Sequence, residues 1–384
     1  MLFPIAALVM LSSRQNPDPG AAVSGLQAFS RDFLGALPMR AGENAVASPF
    51  SVSQCLALLL PGVGSSDAAM VAKSLHLPTS VQDAGESVRA LNALLAQTPN
   101  GEVVVANSVW TGPRYSLTAT YKNTVQGQYG AEAATLPDTG AAGVQAVNAW
   151  ISDKTKGRIK NLLQQLDSST SAVLVNAVSF DAKWQNPFRA DRTTNKPFHA
   201  PAGDISVPTM AEKTLMPYAQ ADGYQIVQMS YASGGYAMLV LLPAPGCDPL
   251  KVLRSFDPAN IPRMKNTMVE LEFPKFKFGA RYDLMSALGG LGLSSLTDHF
   301  DAGPMLGTSQ PMKLSQFLHG AEIDVDENGT RAAAATIAGI RGTAIFQPPQ
   351  TVQVHVDRPF AFVITQSFTQ APLFEGVVFD PSKS

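Results

Sequence analysis

Near its C-terminal end the chain reads Glu327-Asn-Gly-Thr-Arg-Ala-Ala-Ala-Ala-Thr336, followed by Ile337-Ala-Gly-Ile-Arg-Gly-Thr-Ala-Ile-Phe-Gln-Pro-Pro349. This run of small side chains after a glycine limits the fold more than any other segment. Ala332 to Ala335 could form a helical turn capped by Thr330, because alanine has the best helix propensity. Isolated helices below about 12 residues are marginal, however, and Gly339 and Gly342 oppose extension. A hinge, or a strand able to enter a crowded sheet, suits these residues better. Strands alternate faces. Counted from Thr330, one face carries Thr330, Ala332, Ala334, Thr336, Ala338, Ile340 and Gly342, none of them charged or large and polar, while Arg331 and Arg341 both fall on the other. The alternation predicts a strand with a small inward face and wet arginines, leading into a Pro-bounded segment that offers bonds to a protease.

The rest of the composition fits a globular host for such a segment. A chain of 384 residues, 45% hydrophobic and 15% charged, has ample core material for two or three domains or one large α+β domain. Its 28 basic and 30 acidic side chains give a net charge of -2 without a dense Lys/Arg run, which argues against nucleic acid as a partner. Residues 75–90 lack a basic stripe, so no heparin-type cofactor is expected. Cys55 and Cys247 are far apart and read as free thiols, with Cys55 a small hydrophobe inside an apolar run. The apolar segment Met1 to Ser13 is too short to span a bilayer and reads as a secretory leader, with Gln15 to Gly20 a linker. The expected organisation is a leader and linker over residues 1–20 and one domain over 21–384. A secreted or extracytoplasmic monomer, with no membrane segment and no cofactor, follows.

Periodicity and breakers predict helices over Ser51 to Leu60, Ser66 to Leu75, Gly143 to Leu166 and Tyr282 to Leu291. Strands are predicted over Val103 to Trp110, Ser171 to Phe180, Tyr236 to Leu242, Val269 to Phe278, Ala321 to Val325, Val352 to Val356 and Phe360 to Thr365. Such mixing without regular βα alternation points to the α+β class.

Several motifs, in this order and spacing, resemble the serpin family over about Gly25 to Pro381. They are Ala47-Ser-Pro-Phe-Ser51, Leu174-Val-Asn-Ala177, Lys183-Trp-Gln-Asn-Pro-Phe188, Val207-Pro-Thr-Met210, Phe273-Pro-Lys-Phe276, Val325-Asp-Glu-Asn-Gly-Thr330 and Arg358-Pro-Phe-Ala-Phe362. The resemblance implies three β-sheets, about eight or nine helices and an exposed reactive-centre loop that inserts into the main sheet after cleavage. It implies a suicide substrate that traps a serine protease, and no catalysis of its own. Glu327, Gly329, Thr330, Ala332, Ala333, Ala334, Ala335 and Thr336 match the hinge, Ser48, Ser51, Asn176 and His319 the shutter, and Trp184 and Lys275 the breach, where Lys275 can pair with Glu327. Arg331 departs from the acidic residue common there, and Val377 from a basic one.

Counting about fourteen positions beyond Gly329, as the family does, gives Thr343-Ala344 as the reactive bond, suited to elastase-like or subtilisin-like proteases. Arg341-Gly342 is the alternative for a trypsin-like pocket, and Ile340, Ile345 and Phe346 remain open. The sequon Asn328-Gly-Thr330 lies in the hinge, where a glycan would obstruct insertion, so it is expected to be unused. Two other readings compete. A non-inhibitory serpin serving as carrier, chaperone or storage protein would tolerate charged inward hinge residues, which are absent here. A serine hydrolase would need a Gly-x-Ser-x-Gly elbow, and none is present.

Overall fold

A strand of nine consecutive buried residues, Ala172–Phe180, runs through the middle of the molecule. Its sequence is apolar on both faces apart from Asn176 and Ser179, a pattern that requires cover on both sides. The computed structural model describes residues 19–96, 103–330 and 351–383. Among these residues the chain forms sheets of nine, seven and two strands. Ten α-helices accompany them, three being single turns of four residues. The α+β class and the three sheets expected from the sequence are present. Among the described residues no helix is long and apolar enough to cross a membrane.

The seven-stranded sheet carries the features that matter for function. Val103–Thr111 lies antiparallel to Ala172–Phe180 on one side, with Glu132–Thr135 beyond it. On the other side Leu314–Val325 lies parallel, Val173 to Ser179 facing Gln316 to Glu322 after a bulge at Ser315. Phe276–Asp283 pairs antiparallel with the far edge of Leu314–Val325. The two-residue strand Gly329–Thr330 pairs antiparallel with both the end of Leu314–Val325 and Ala182–Lys183.

Each face is covered by an element that its local sequence dictates. Below lies the helix Pro49–Leu56, where Ser48 is the N-cap, its Oγ accepting from the Ser51 amide at 3.1 Å, and Pro49 occupies the first turn. Above lie the helix Ala141–Lys154 and the chain that follows it. Val147, Ile151, Ile159, Leu162 and Leu163 bury Val173, Val175 and Ala177. Asn148 straps that returning chain down: Nδ2 donates to the Leu163 carbonyl at 2.8 Å and the Leu163 amide donates to Oδ1 at 3.0 Å.

Four sequence expectations need correction. The helix predicted over Gly143 to Leu166 ends at Lys154, because Lys156 and Gly157 take positive φ of 53° and 74° and turn the chain back over the sheet. The segment Tyr282 to Leu291 keeps Tyr282 and Asp283 in a strand, then forms a 3₁₀ turn, Leu284–Ser286, and one helical turn, Ala287–Gly290. Val269 to Phe278 is two strands, Lys265–Pro274 and Phe276–Asp283, which belong to different sheets. Pro274 ends the first, having no amide to continue a ladder. The helix Pro19–Ala36 begins inside the expected linker.

One buried carboxyl stands out in the nine-stranded sheet. Glu375, in the strand Pro372–Val378, is 3% exposed and accepts a hydrogen bond from Ser30 Oγ at 2.7 Å. Burial pushes its carboxyl up to about 7, opposed by the Ser30 bond and the charge of Arg31. The folded protein therefore retains a proton that the unfolded chain gives up from about pH 4.5. The contribution is full below pH 4.5, declines as pH rises to 7 and is constant above. Glu375→Gln should gain stability over the parent steadily across that window, read as the denaturant midpoint at each pH. A difference independent of pH would contradict the assignment.

Candidate functional site

Three of the four expected shutter residues meet where the parallel pair crosses the buried helix. His319 and Asn176 stand directly opposite each other in the ladder. The Ser48 amide donates to His319 Nε2 at 3.1 Å, so that nitrogen must accept and the ring proton sits on Nδ1. Nδ1–H then donates to Asn176 Oδ1 at 2.5 Å. Asn176 Nδ2 donates to the carbonyl of Ser51 at 3.0 Å, to its hydroxyl, and to Asn107 Oδ1 at 2.5 Å. One amide thereby links two strands of the sheet to each other, to a third strand and to the helix beneath. The fourth expected residue, Ser48, joins through its amide and caps that helix with its hydroxyl.

His319 is fully buried, stacked on Tyr282 at 5.9 Å and met edge-on by Phe33 at 6.5 Å. Burial pushes its imidazole down to about 3, so it is neutral in the folded state. The unfolded chain binds this proton near pH 6.5; stability from this group is intact above that pH and is lost as pH falls below it. Cys55 lies in the same layer, fully buried, its thiol donating to the Val175 carbonyl at 3.5 Å and pushed up by burial.

A second cluster holds the start of the expected hinge. Lys275 Nζ bonds Glu327 Oε2 at 2.8 Å and Thr193 Oγ1 donates to Oε1 at 2.8 Å. Partial burial raises the Glu327 carboxyl, but bonds from Lys275, its own backbone and Thr193 outweigh it, and the net direction is down. Asp326 Oδ1 accepts from the amides of Asn328 at 2.8 Å and Gly329 at 3.2 Å, shaping the turn. Trp184 ties it down twice, its indole donating to the Asp326 carbonyl at 3.0 Å and its amide to the Asn328 carbonyl at 2.8 Å. Gly329 must be glycine: a Cβ there would lie 2.1 Å from the Ala182 carbonyl oxygen. Thr330 is fully buried and its hydroxyl lies 2.6 Å from that of Tyr231.

Ala332, Ala333, Ala334, Ala335 and Thr336 of the hinge, and both candidate reactive bonds, Thr343-Ala344 and Arg341-Gly342, lie outside the described residues. Sequence reasoning missed Asn107, Thr193, Asp326 and Tyr231. Asn107 carried a usable signal, as the polar residue that interrupts Val103-Val-Val-Ala106 and Val109-Trp110. Thr193 sits in a polar stretch with nothing to distinguish it.

A family model described as Serpin (serine protease inhibitor) matches residues 24–381. The chain belongs to the serpin family. It is 30% identical over 370 residues to a serpin-like protein of Thermococcus kodakarensis, covering 94% of this chain and 85% of that one. Leukocyte elastase inhibitor A of Mus musculus is 30% identical over 358 residues, covering 88% of this chain and 93% of the inhibitor. Among solved structures, Serpin48 of the insect Tenebrio molitor superimposes with a TM-score of 0.81 at 26% identity, covering 94% of this chain and 97% of that one.

Asn176→Ala should leave His319 Nδ1–H and the Ser51 oxygens without their partner, each buried group costing about 1–3 kcal/mol. The denaturant midpoint should fall, and Cys55 should react faster with a thiol reagent while the exposed Cys247 reacts as before. Unchanged Cys55 reactivity would show that the amide does not hold the strands together.

Proposed function

We propose that this protein inhibits serine proteases as a suicide substrate, its cleaved loop entering the seven-stranded sheet between Ala172–Phe180 and Leu314–Val325. The observation that carries this reading is the Gly329–Thr330 strand, already paired antiparallel with the end of Leu314–Val325 and with Ala182–Lys183, just past the end of Ala172–Phe180. Adding an antiparallel strand there replaces one parallel ladder with two antiparallel ones, the more stable pairing per residue. The net gain is about ten ladder hydrogen bonds at roughly 0.5–1.5 kcal/mol each. That sum is comparable to the roughly 5–15 kcal/mol stability of an ordinary domain.

Continuing the pairing of Thr330 with Val325 and with Ala182 along both strands gives the reading its detail. Arg331 would stand opposite Asp181 on one side and Asp324 on the other, on the outward face. Two carboxylates there account for a basic residue where the family commonly has an acidic one. Asp181 now pairs with Arg158, from the chain covering the sheet, and Asp324 with Lys277 at 2.9 Å. Thr336 would arrive between Asn176 and His319, separating the pair that holds the sheet closed. Ile340 would reach Ala172, the end of that strand.

In the trapping step the protease serine Oγ attacks the carbonyl carbon of Thr343. The bond to the Ala344 nitrogen breaks, the new amine takes a proton from the protease's own base, and an ester remains. Insertion of ten residues then carries the ester roughly 30 Å along the sheet. Displacement of catalytic groups by about 1 Å costs roughly a hundredfold in rate, so hydrolysis of the ester stalls. Cleavage at Thr343 leaves a short tether past the end of the strand, whereas cleavage at Arg341 presses the protease against the sheet rim, which supports Thr343-Ala344. A small P1 side chain and the relationship to an elastase inhibitor favour elastase-like or subtilisin-like targets. The apolar segment Met1 to Ser13 favours export ahead of one domain over residues 21–384.

Incubation with elastase-like, subtilisin-like and trypsin-like proteases should yield a complex that survives denaturing electrophoresis, with the cut mapping to Thr343. Clean cleavage by the whole panel without such a complex would favour the non-inhibitory reading. Thr330→Arg should convert inhibitor to substrate, since the site is closed by Tyr231 and Phe180. Arg331→Glu should raise the number of inhibitors consumed per protease trapped, and adding Asp181→Lys should reverse the rise. No effect of either change would mean that the register is wrong.

A further inference from the structure

We infer that Tyr231 is the positioning residue that fixes which way the hinge strand faces, its buried hydroxyl holding Thr330 inward and so setting the register from which insertion propagates. This deepens the inhibitory reading and rests on it. The phenol is rigidly mounted: its ring is fully buried, stacked on Trp184 at 4.5 Å with 15° between planes, and met edge-on by Phe180 at 4.8 Å. Its backbone is fixed as well, the Tyr231 amide donating to the Tyr236 carbonyl at 3.0 Å and the Gly234 amide donating to the Tyr231 carbonyl at 2.9 Å. Among the described residues, Tyr231 is the hydrogen-bond partner of the Thr330 hydroxyl, at 2.6 Å.

Register is the quantity at stake, because a slip of one residue turns every side chain of a strand to the other face. Such a slip here would turn the small inward set out and carry Arg331 into the aromatic layer. Two independent restraints oppose it. Gly329 acts by repulsion: any other residue moved into its place would set a Cβ 2.1 Å from the Ala182 oxygen. Tyr231 acts by attraction, offering a fixed partner that only an inward hydroxyl at position 330 can reach. A phenylalanine would fill the same space without this selection, and a buried tyrosine needs a partner for its hydroxyl.

The test is a double-mutant cycle of Tyr231→Phe and Thr330→Val on the full chain, with Thr330→Ser as the conservative control. Each single change should raise the number of inhibitors consumed per protease trapped by about five-fold, the effect of one lost hydrogen bond. The double variant should be no worse than either single, because both partners of one bond are then apolar, and Thr330→Ser should behave as the parent. Singles equal to the parent, or a double variant equal to the product of the singles, would overturn the inference. The same cycle read as thermal unfolding of the intact protein needs no protease: the singles should each melt about 2 °C lower and not add. Coupling seen there, without covalent complex from the parent, would refute the inhibitory reading and with it the role in insertion, leaving only the docking bond.

Discussion

The parallel contact between Ala172–Phe180 and Leu314–Val325 is the constraint on which the rest depends. Two strands that run the same way, side by side, would pair better with a strand running the other way between them, and Gly329–Thr330 lies antiparallel at one end of the pair. A sheet of this kind is complete in hydrogen bonds yet short of its best arrangement. Everything around the junction either holds it shut or prepares the place where it parts. The buried helix below is pinned to it by a side-chain bond from Asn176, and the returning chain above is tied to its own covering helix by Asn148.

The energetics explain why polar groups are buried at this junction. An apolar contact between the two strands would resist separation without specificity, and it would offer no partner to an arriving threonine. The amide and imidazole of Asn176 and His319 form a closed network whose members are satisfied in the present state. Opening without a replacement leaves buried donors and acceptors unpaired, at about 1–3 kcal/mol per group. A strand bearing a hydroxyl at the right height supplies that replacement. The junction thus resists spontaneous opening, and the proposed insertion is the opening that would restore its bonds.

Much of this was legible in the sequence, for reasons that differ from residue to residue. The apolar run after Ser51, the doubly buried run Ala172–Phe180 and the glycine of the hinge are local signals, and each marked its element, although the first helix starts two residues earlier, at Pro49. The pairing of Lys275 with Glu327 needed only the family resemblance. Tyr231 was invisible because its function depends on a contact 99 residues away in the chain, and nothing in Ser230-Tyr-Ala-Ser233 distinguishes it from a core aromatic. The over-long helix prediction past Lys154 failed because apolar residues continue at helical spacing through Ile159, Leu162 and Leu163. They pack on the sheet from an irregular, turning chain instead. Asp181 and Asp324 gain meaning only through the proposed continuation of the Thr330 register, which sets the basic residue at position 331 between them.

The most direct test of the central claim is the thermal stability of the intact protein against that of the same chain cut once in its loop by a protease it does not trap. If the junction accepts the loop as a new strand, the cut protein melts well above the intact one, although a covalent bond has been lost. Equal melting temperatures, or a lower one after cleavage, would mean that the sheet stays closed and that the loop never enters it.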